Sequence, residues 1–222
     1  MFRRDYILRQ IEEFASVVAQ IIGFAKNRQW DQASSEITRS TQQLTGSGMP
    51  ELLQLSETEL LARLIQNEPD VAVESKTFMT ATLLKAQGDL LAGQDRPEEG
   101  RAYYLKGLHL LLETFGRSQP VVRPDFVPTI EIFLAALADR PLPTATNAML
   151  MQHYERLGDF ARAEDALFEI LDAELSKVEL LEFGRRFFER LLRHDDATLN
   201  SGNLPRAEIL SALAELDERK PQ

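Results

Sequence analysis

The sequence predicts an all-α protein, a superhelix of stacked helical hairpins (an α-solenoid) with about ten helices in a single domain over 1–222. Three observations predict it. Apolar residues recur at three- and four-residue intervals through almost the whole chain, and no stretch sustains the period-two alternation of a strand. Glycine, proline and short polar runs interrupt this periodicity at helix-length intervals. One spacing of bulky and small residues recurs at three of the resulting turns.

Taken in order, the periodicity predicts helix 1 over about Arg4–Lys26, with Ile7, Ile11, Phe14, Val18, Ile21 and Ile22 on one stripe. Helix 2 starts near Trp30 and ends before Thr45-Gly46-Ser47-Gly48. Helix 3 lies within Pro50–Ile65, where Ser56 followed by Glu59 suggests a capping box and a break. Helix 4 covers about Val71–Leu91. Helix 5 follows Pro97, a residue suited to a first helical turn, and reaches about Phe115. A Ser- and Pro-rich stretch follows, and the expected internal boundary, if the chain divides, lies near 116–125. Helix 6 covers about Val127–Ala138 and stops at Arg140-Pro141-Leu142-Pro143. Helix 7 (about Thr144–Leu157) and helix 8 (about Phe160–Leu175) are joined by Gly158-Asp159, a turn and a cap. Helix 9 spans about Lys177–Leu192. After the polar segment His194–Asn203, Pro205 opens a last helix ending near Glu218.

The recurring spacing places a bulky residue nine positions before a small one and another bulky residue four after it. It reads Phe24-x8-Ala33-x3-Ile37 with Trp30 in the turn, then Gly88-x2-Leu91-x8-Gly100-x3-Tyr104-x2-Gly107, then Tyr154-x3-Gly158-Asp159-x3-Ala163-x3-Leu167. Two antiparallel helices that cross closely need a small residue on one and a bulky knob on the other, so the spacing is a packing rule.

These residues resemble the tetratricopeptide repeat, a helix–turn–helix unit of about 34 residues with small and aromatic positions at such spacing. The 147–175 segment matches best, although it lacks the tryptophan and has Leu175 where the closing proline would fall. The 84–112 segment has Gly100 where alanine is usual. The 17–44 segment keeps the bulky and small pattern but has Gln20 at a normally apolar place. The small positions stand nearly two repeat lengths apart, so either degenerate units intervene or the unit holds three helices, with helices 3, 6 and 9 as the extra members. The opening Asp5-Tyr6-Ile7-x-Arg9-x-Ile11-Glu12 also looks like the start of a bacterial family of uncharacterised helical proteins, which implies a bacterial origin and no function.

Composition narrows the chemistry. The chain has 222 residues, 44% apolar and 27% charged, in the range of globular proteins. It has no cysteine, which excludes disulfides, thiolate metal sites and cysteine nucleophiles and fits a reducing compartment. A formal charge of −10 disfavours nucleic acid, since an anionic chain gains no counterion release at phosphates. The basic start is interrupted by Asp5, Glu12 and Glu13, and the apolar run Ala15–Ala25 is shorter than the ~20 residues that span a bilayer. A cytoplasmic protein with an amphipathic first helix is expected.

The candidate chemistries reduce to packing. His194-Asp195-Asp196 has the order of a metal phosphohydrolase pair, but such a site needs several more histidines and carboxylates, and the chain's two other histidines, His109 and His153, fall on other helices, so a solvated helix end is expected. Arg185, Arg186, Arg190 and Arg193 interleave with Phe183, Phe187 and Phe188. They read as an amphipathic helix with core Phe and with Arg paired to Glu182 and Glu189. No glycine-rich phosphate loop, nucleophile elbow or dinucleotide fingerprint occurs, so no catalytic residue, metal or cofactor is expected.

The expected function is a non-enzymatic interaction module whose concave helical face binds a peptide or partner helix. Helices 1, 4 and 7 would line it, offering Gln20, Lys85, Gln87, Asn147, Met151 and Gln152 as exposed partner-binding positions. The alternatives are an acidic chaperone or adaptor for a secreted or membrane client, and a regulatory peptide-sensing module. Helix 1 is apolar on more than one side (Ile7, Val17, Ile22, Phe24), which suits deep packing first, then a homodimer through this helix, and last contact with a membrane surface.

Overall fold

The computed structural model describes residues 2–65, 70–116, 122–173 and 178–218. Among these it contains twelve α-helices and no strand, so the all-α class holds. The helices are α1 (Phe2–Lys26), α2 (Trp30–Thr45), α3 (Met49–Gln54), α4 (Glu57–Ile65), α5 (Asp70–Gly93), α6 (Pro97–Phe115), α7 (Ile130–Ala136), α8 (Thr144–Leu157), α9 (Phe160–Ala173), α10 (Val178–Leu191), α11 (Asp196–Ser201) and α12 (Arg206–Glu218). Two helices exceed the expected ten. The expected helix 3 is split at Ser56, whose hydroxyl accepts from the Glu59 amide while Glu59 accepts from the Ser56 amide, the capping box the spacing suggested. The polar segment after His194 contains the short helix α11, whose first turn is capped by Asp195 accepting from the Thr198 amide at 2.7 Å.

The chain divides into two compact units, 1–141 and 142–222, at the proline-rich Arg140-Pro141-Leu142-Pro143 break. Much of the boundary expected near 116–125 falls on 117–121, outside the described residues, as does the expected closing position Leu175.

In unit 1, α5 and α6 form the most extensive helix pair, and α5 also packs against α1, α2 and α4. Residues 77–84 of α5 are buried without interruption, so this helix has core on every side rather than one wet face. Three threonines enter that core because their hydroxyls donate back to carbonyls one turn earlier: Thr77 to Val73, Thr80 to Lys76 and Thr82 to Phe78, each at 2.8 Å. The α5/α6 approach is close enough to demand glycine. A Cβ at Gly100 would stand 2.8 Å from the Gly88 carbonyl oxygen, and one at Gly88 would stand 2.3 Å from the Tyr104 ring.

In unit 2, α8 and α9 form the main hairpin, and α10 packs against α9 and α12. Ala163 and Leu167 are wholly buried and Tyr154 is 4% exposed, as the spacing requires. Gly202 meets the Gly158 carbonyl oxygen at a would-be Cβ distance of 2.5 Å, a close backbone approach that also brings the Gly202 carbonyl to the Ala161 amide.

The three turns that carry the spacing share one local geometry. The carbonyl of the bulky residue accepts from the amide five positions on: Phe24 from Gln29, Leu91 from Arg96 and Tyr154 from Asp159, at 2.9, 2.9 and 3.0 Å. The residue between them at position four is left-handed in each case, Arg28 at φ 56°, Asp95 at 60° and Gly158 at 75°. The small residue's amide then donates to the first carbonyl of the next helix: Ala33 to Gln29, Gly100 to Arg96 and Ala163 to Asp159. This is the Schellman arrangement, which satisfies the last carbonyls of one helix while reversing the chain. A fourth copy joins α11 to α12, with Leu204 donating to Leu199 across a left-handed Asn203, but Glu208 stands there where the others have a small residue.

Gly100→Ala places its methyl against main chain that cannot rotate away. The overpacking cost of about 1–3 kcal/mol exceeds the helix-propensity gain of about 1 kcal/mol, so urea denaturation should show a net loss of stability. Gly23→Ala in α1, where a Cβ meets nothing within 4 Å, should instead gain up to about 1 kcal/mol.

Candidate functional site

The burial of α5 brings its polar residues to one edge of the α5/α6 crossing. Because Gly88 has no side chain, Tyr104 lies flat against α5 and donates its hydroxyl to Asp89 at 2.9 Å. Lys85, one turn before Asp89, donates to both carboxylate oxygens at 2.7 and 2.8 Å and stands 5.4 Å from the Tyr104 ring centroid. Burial, followed by the neighbouring Asp89 carboxylate, pushes the Tyr104 hydroxyl well above its usual range, so it remains a donor.

Lys85 and Asp89 form one wall of a cleft of about 390 Å³ in unit 1, between α1, α5 and the segment 123–129 that leads into α7. The segment is held by local chemistry. Arg123 donates to the carbonyls of Pro124 and Val127, the Val127 amide donates to Pro124, and Val127 is buried. Phe126 stands edge-on to Phe14 of α1 with ring centroids 5.3 Å apart. The rim is apolar and wet: Ile22 is 47% exposed and Ile132 is 46% exposed. A second cleft of about 400 Å³ lies between α1, α2 and α5, but none of the exposed large apolar side chains lines it.

Of the six sequence-predicted positions, Lys85 alone lines the rimmed cleft. Gln20 and Gln152 are exposed as expected. Lys85 and Gln87 are half-buried rather than open, since α5 is surrounded by other helices. Asn147 and Met151 are corrected: they are 5% and 1% exposed. The buried residues of α8 (Thr146, Asn147, Leu150, Met151, His153 and Tyr154) sweep an arc of roughly 160° at 100° per residue, and both positions fall inside it. The expectation of one lining face on α8 assumed a narrower buried stripe.

The remaining polar clusters hold helices together. In unit 1, Lys106 is buried in α6 and donates to the Leu55 carbonyl and to Glu57 at 3.2 Å, and His109 meets the same Glu57 oxygen at 3.1 Å. Burial works against the Glu57 charge, yet the amide at the start of α4, His109 and Lys106 outweigh it and hold the carboxyl below its usual range. In unit 2, Phe187 and Phe188 are core residues, as the amphipathic reading expects. Arg186 pairs with Glu182, as expected; Arg190 clamps Glu155 through two bonds of 2.7 and 2.8 Å, and Arg185 meets Asp217 at 2.6 Å. His194 packs on Phe160, and Asp196 pairs with Arg206 at 2.5 Å, so this segment is a capped helix start. Glu164 of α9 is half-buried. Burial first, then repulsion from Glu208, Asp165 and Glu215, pushes its carboxyl up to about 7.

A family model described as a family of unknown function (DUF6483) matches residues 1–220. No curated protein and no solved structure shows a significant match. Among the described residues, no helix is long and apolar enough to cross a membrane, and no group of three or more His, Asp or Glu side chains is placed to hold a metal ion.

The Glu164 environment sets the sign of a pH effect. The folded state binds this proton more tightly than the unfolded chain does, so the contribution to stability is complete below the ordinary carboxylate range. It is lost as pH rises from about 4.5 to about 7. Glu164→Gln should therefore stabilise the protein at pH 8 by about 1 kcal/mol, discounted for partial exposure, and bring no gain at pH 4. Thermal melts of both proteins at the two pH values check this.

Proposed function

The chain belongs to DUF6483, whose function is unknown, and we propose that it is a non-enzymatic interaction module whose α1/α5 cleft receives a peptide or partner helix. The observation that carries this reading is the meeting of two exposed aliphatic side chains, Ile22 and Ile132, at one cleft. Exposed apolar side chains scattered singly need no explanation, but their pairing at a concavity is the usual form of a recognition site. The cleft is lined by α1 and α5, the first helices of the two unit 1 hairpins, the elements expected to face a partner.

A tetratricopeptide-like superhelix is the architecture that best suits this role. Its support is local: three hairpin turns with the same left-handed residue, the same bond across it and a buried small residue beyond it. Between the two hairpins of unit 1 stand the short helices α3 and α4 rather than a full-length pair, which favours extra helices added to each hairpin over a degenerate repeat. The absence of cysteine and the acidic charge suit a bacterial cytoplasmic setting and a protein rather than nucleic-acid partner. The non-enzymatic part of the reading rests on the polar clusters, whose members bond to each other and to helix ends.

Selection of a random peptide library on the full chain tests this reading. Enriched peptides should bind the wild-type protein and lose at least about tenfold in affinity on Ile22→Asp, a change at a half-exposed position that leaves the core intact. No enrichment, or enrichment indifferent to Ile22→Asp and Ile132→Asp alike, would overturn it. Light scattering should give the monomer mass of 25.2 kDa. A dimer dissociated by Ile22→Asp would instead assign the patch to a second copy of the chain.

A further inference from the structure

We infer that the occupant of the α1/α5 cleft is a basic amphipathic segment, one that inserts aliphatic side chains at Ile22 and Ile132 and brings a lysine or arginine to Asp125. The inference rests on the reading of this cleft as a recognition site and adds the chemistry of its partner.

Two cations and two carboxylates line the cleft, so its charge preference depends on which of them are already engaged rather than on their sum. Four ionisable side chains line it: Lys85, Asp89, Arg123 and Asp125. Lys85 and Asp89 neutralise one another through two short bonds, and Asp89 also accepts from Tyr104. Arg123 is half-buried and turned inward onto the carbonyls of Pro124 and Val127, where it serves the segment's own turn. Asp125 differs from these three. It is exposed, and no cation among the described residues pairs with it. An apolar rim beside one uncommitted carboxylate complements an apolar ligand that carries a positive charge. The whole-chain charge of −10 acts in the same direction at longer range, raising the encounter rate with a cationic segment.

The cleft volume limits how the segment fits. About 390 Å³ lies near the lower end of small-ligand sites, enough for a few side chains from one helix face and too small for a folded domain. A helix presenting aliphatic residues three and four apart, with basic residues on its flank, meets both the rim and Asp125.

Two synthetic 18-residue amphipathic helices test this, one alternating Leu with Lys faces and one with Glu replacing every Lys, each labelled for fluorescence anisotropy against the full chain. The Leu/Lys helix should bind and the Leu/Glu helix should bind at least about tenfold more weakly. Asp125→Lys should weaken the Leu/Lys helix by about three- to tenfold and strengthen the Leu/Glu helix. Glu113→Lys on α6, which changes total charge equally but does not line the cleft, should leave both within about twofold. Equal effects of Asp125→Lys and Glu113→Lys would show general charge attraction and overturn the assignment of Asp125. Binding of both helices alike, abolished by Ile22→Asp, would overturn the basic partner while keeping the cleft as a recognition site. Binding of the Leu/Lys helix unaffected by Ile22→Asp would overturn the cleft itself.

Discussion

Where Gly100 faces Gly88, the backbones of α5 and α6 approach so closely that even a methyl group would collide with a carbonyl oxygen. Much of unit 1 depends on that contact. It lets Tyr104 lie against α5 and bond Asp89, which in turn holds Lys85 at the cleft wall. It also sets α5 deep enough to pack against α1, α2 and α4. The close approach is sustained from the turn, where Leu91 accepts from Arg96 across the left-handed Asp95 and aims α6 back along α5. Unit 2 repeats the turn at Tyr154, Gly158 and Asp159, with Ala163 in place of glycine at the small position.

A helix surrounded by others must dispose of its polar groups, and α5 and α6 show three ways of doing so. Threonines return their hydroxyls to their own helix. Lys106 extends from α6 to the end of α3 and the start of α4, satisfying a carbonyl that helix ends leave without an intrahelical donor. Lys85 and Asp89 combine one turn apart at the edge. The first two leave nothing for a ligand. The third lies at the rim of a cleft whose other wall, 123–129, is held in place by Arg123 and by Phe126 against Phe14. The cleft is therefore a consequence of packing: α5 is too crowded to present a face, and the concavity lies at the seam between α5, α1 and the segment beside them.

Residues close in sequence specify much of this fold, and contacts between distant residues are not legible in the sequence. The helices α1, α2, α5, α6, α8 and α9 follow from periodicity, and the capping box at Ser56 and the turn at Gly158 follow from residues within one helical turn of each other. The bulky–small–bulky spacing identifies the closest crossings because its geometry is carried by the turn it spans. By contrast, α11 hides in a polar stretch, since a six-residue helix has too few apolar positions to show a period. Asn147 and Met151 are buried against expectation because the width of a buried arc depends on how many neighbours a helix has. The cleft was invisible apart from Lys85: Phe14 meets Phe126 across more than a hundred residues, and no spacing encodes that meeting. The pairing of Lys85 with Asp89 was accessible, being a four-residue helical spacing.

The claim on which this account depends most is that the α5/α6 crossing is the most stable part of unit 1. Native-state hydrogen exchange resolved to single amides measures it directly. Leu84, Leu108 and Leu111, buried at or near the crossing, should exchange only through global unfolding, with the highest protection in 1–141 and the same denaturant dependence as one another. Amides of α1 or α7 that outlast them, or an α6 that opens while α1 and α2 stay closed, would contradict it.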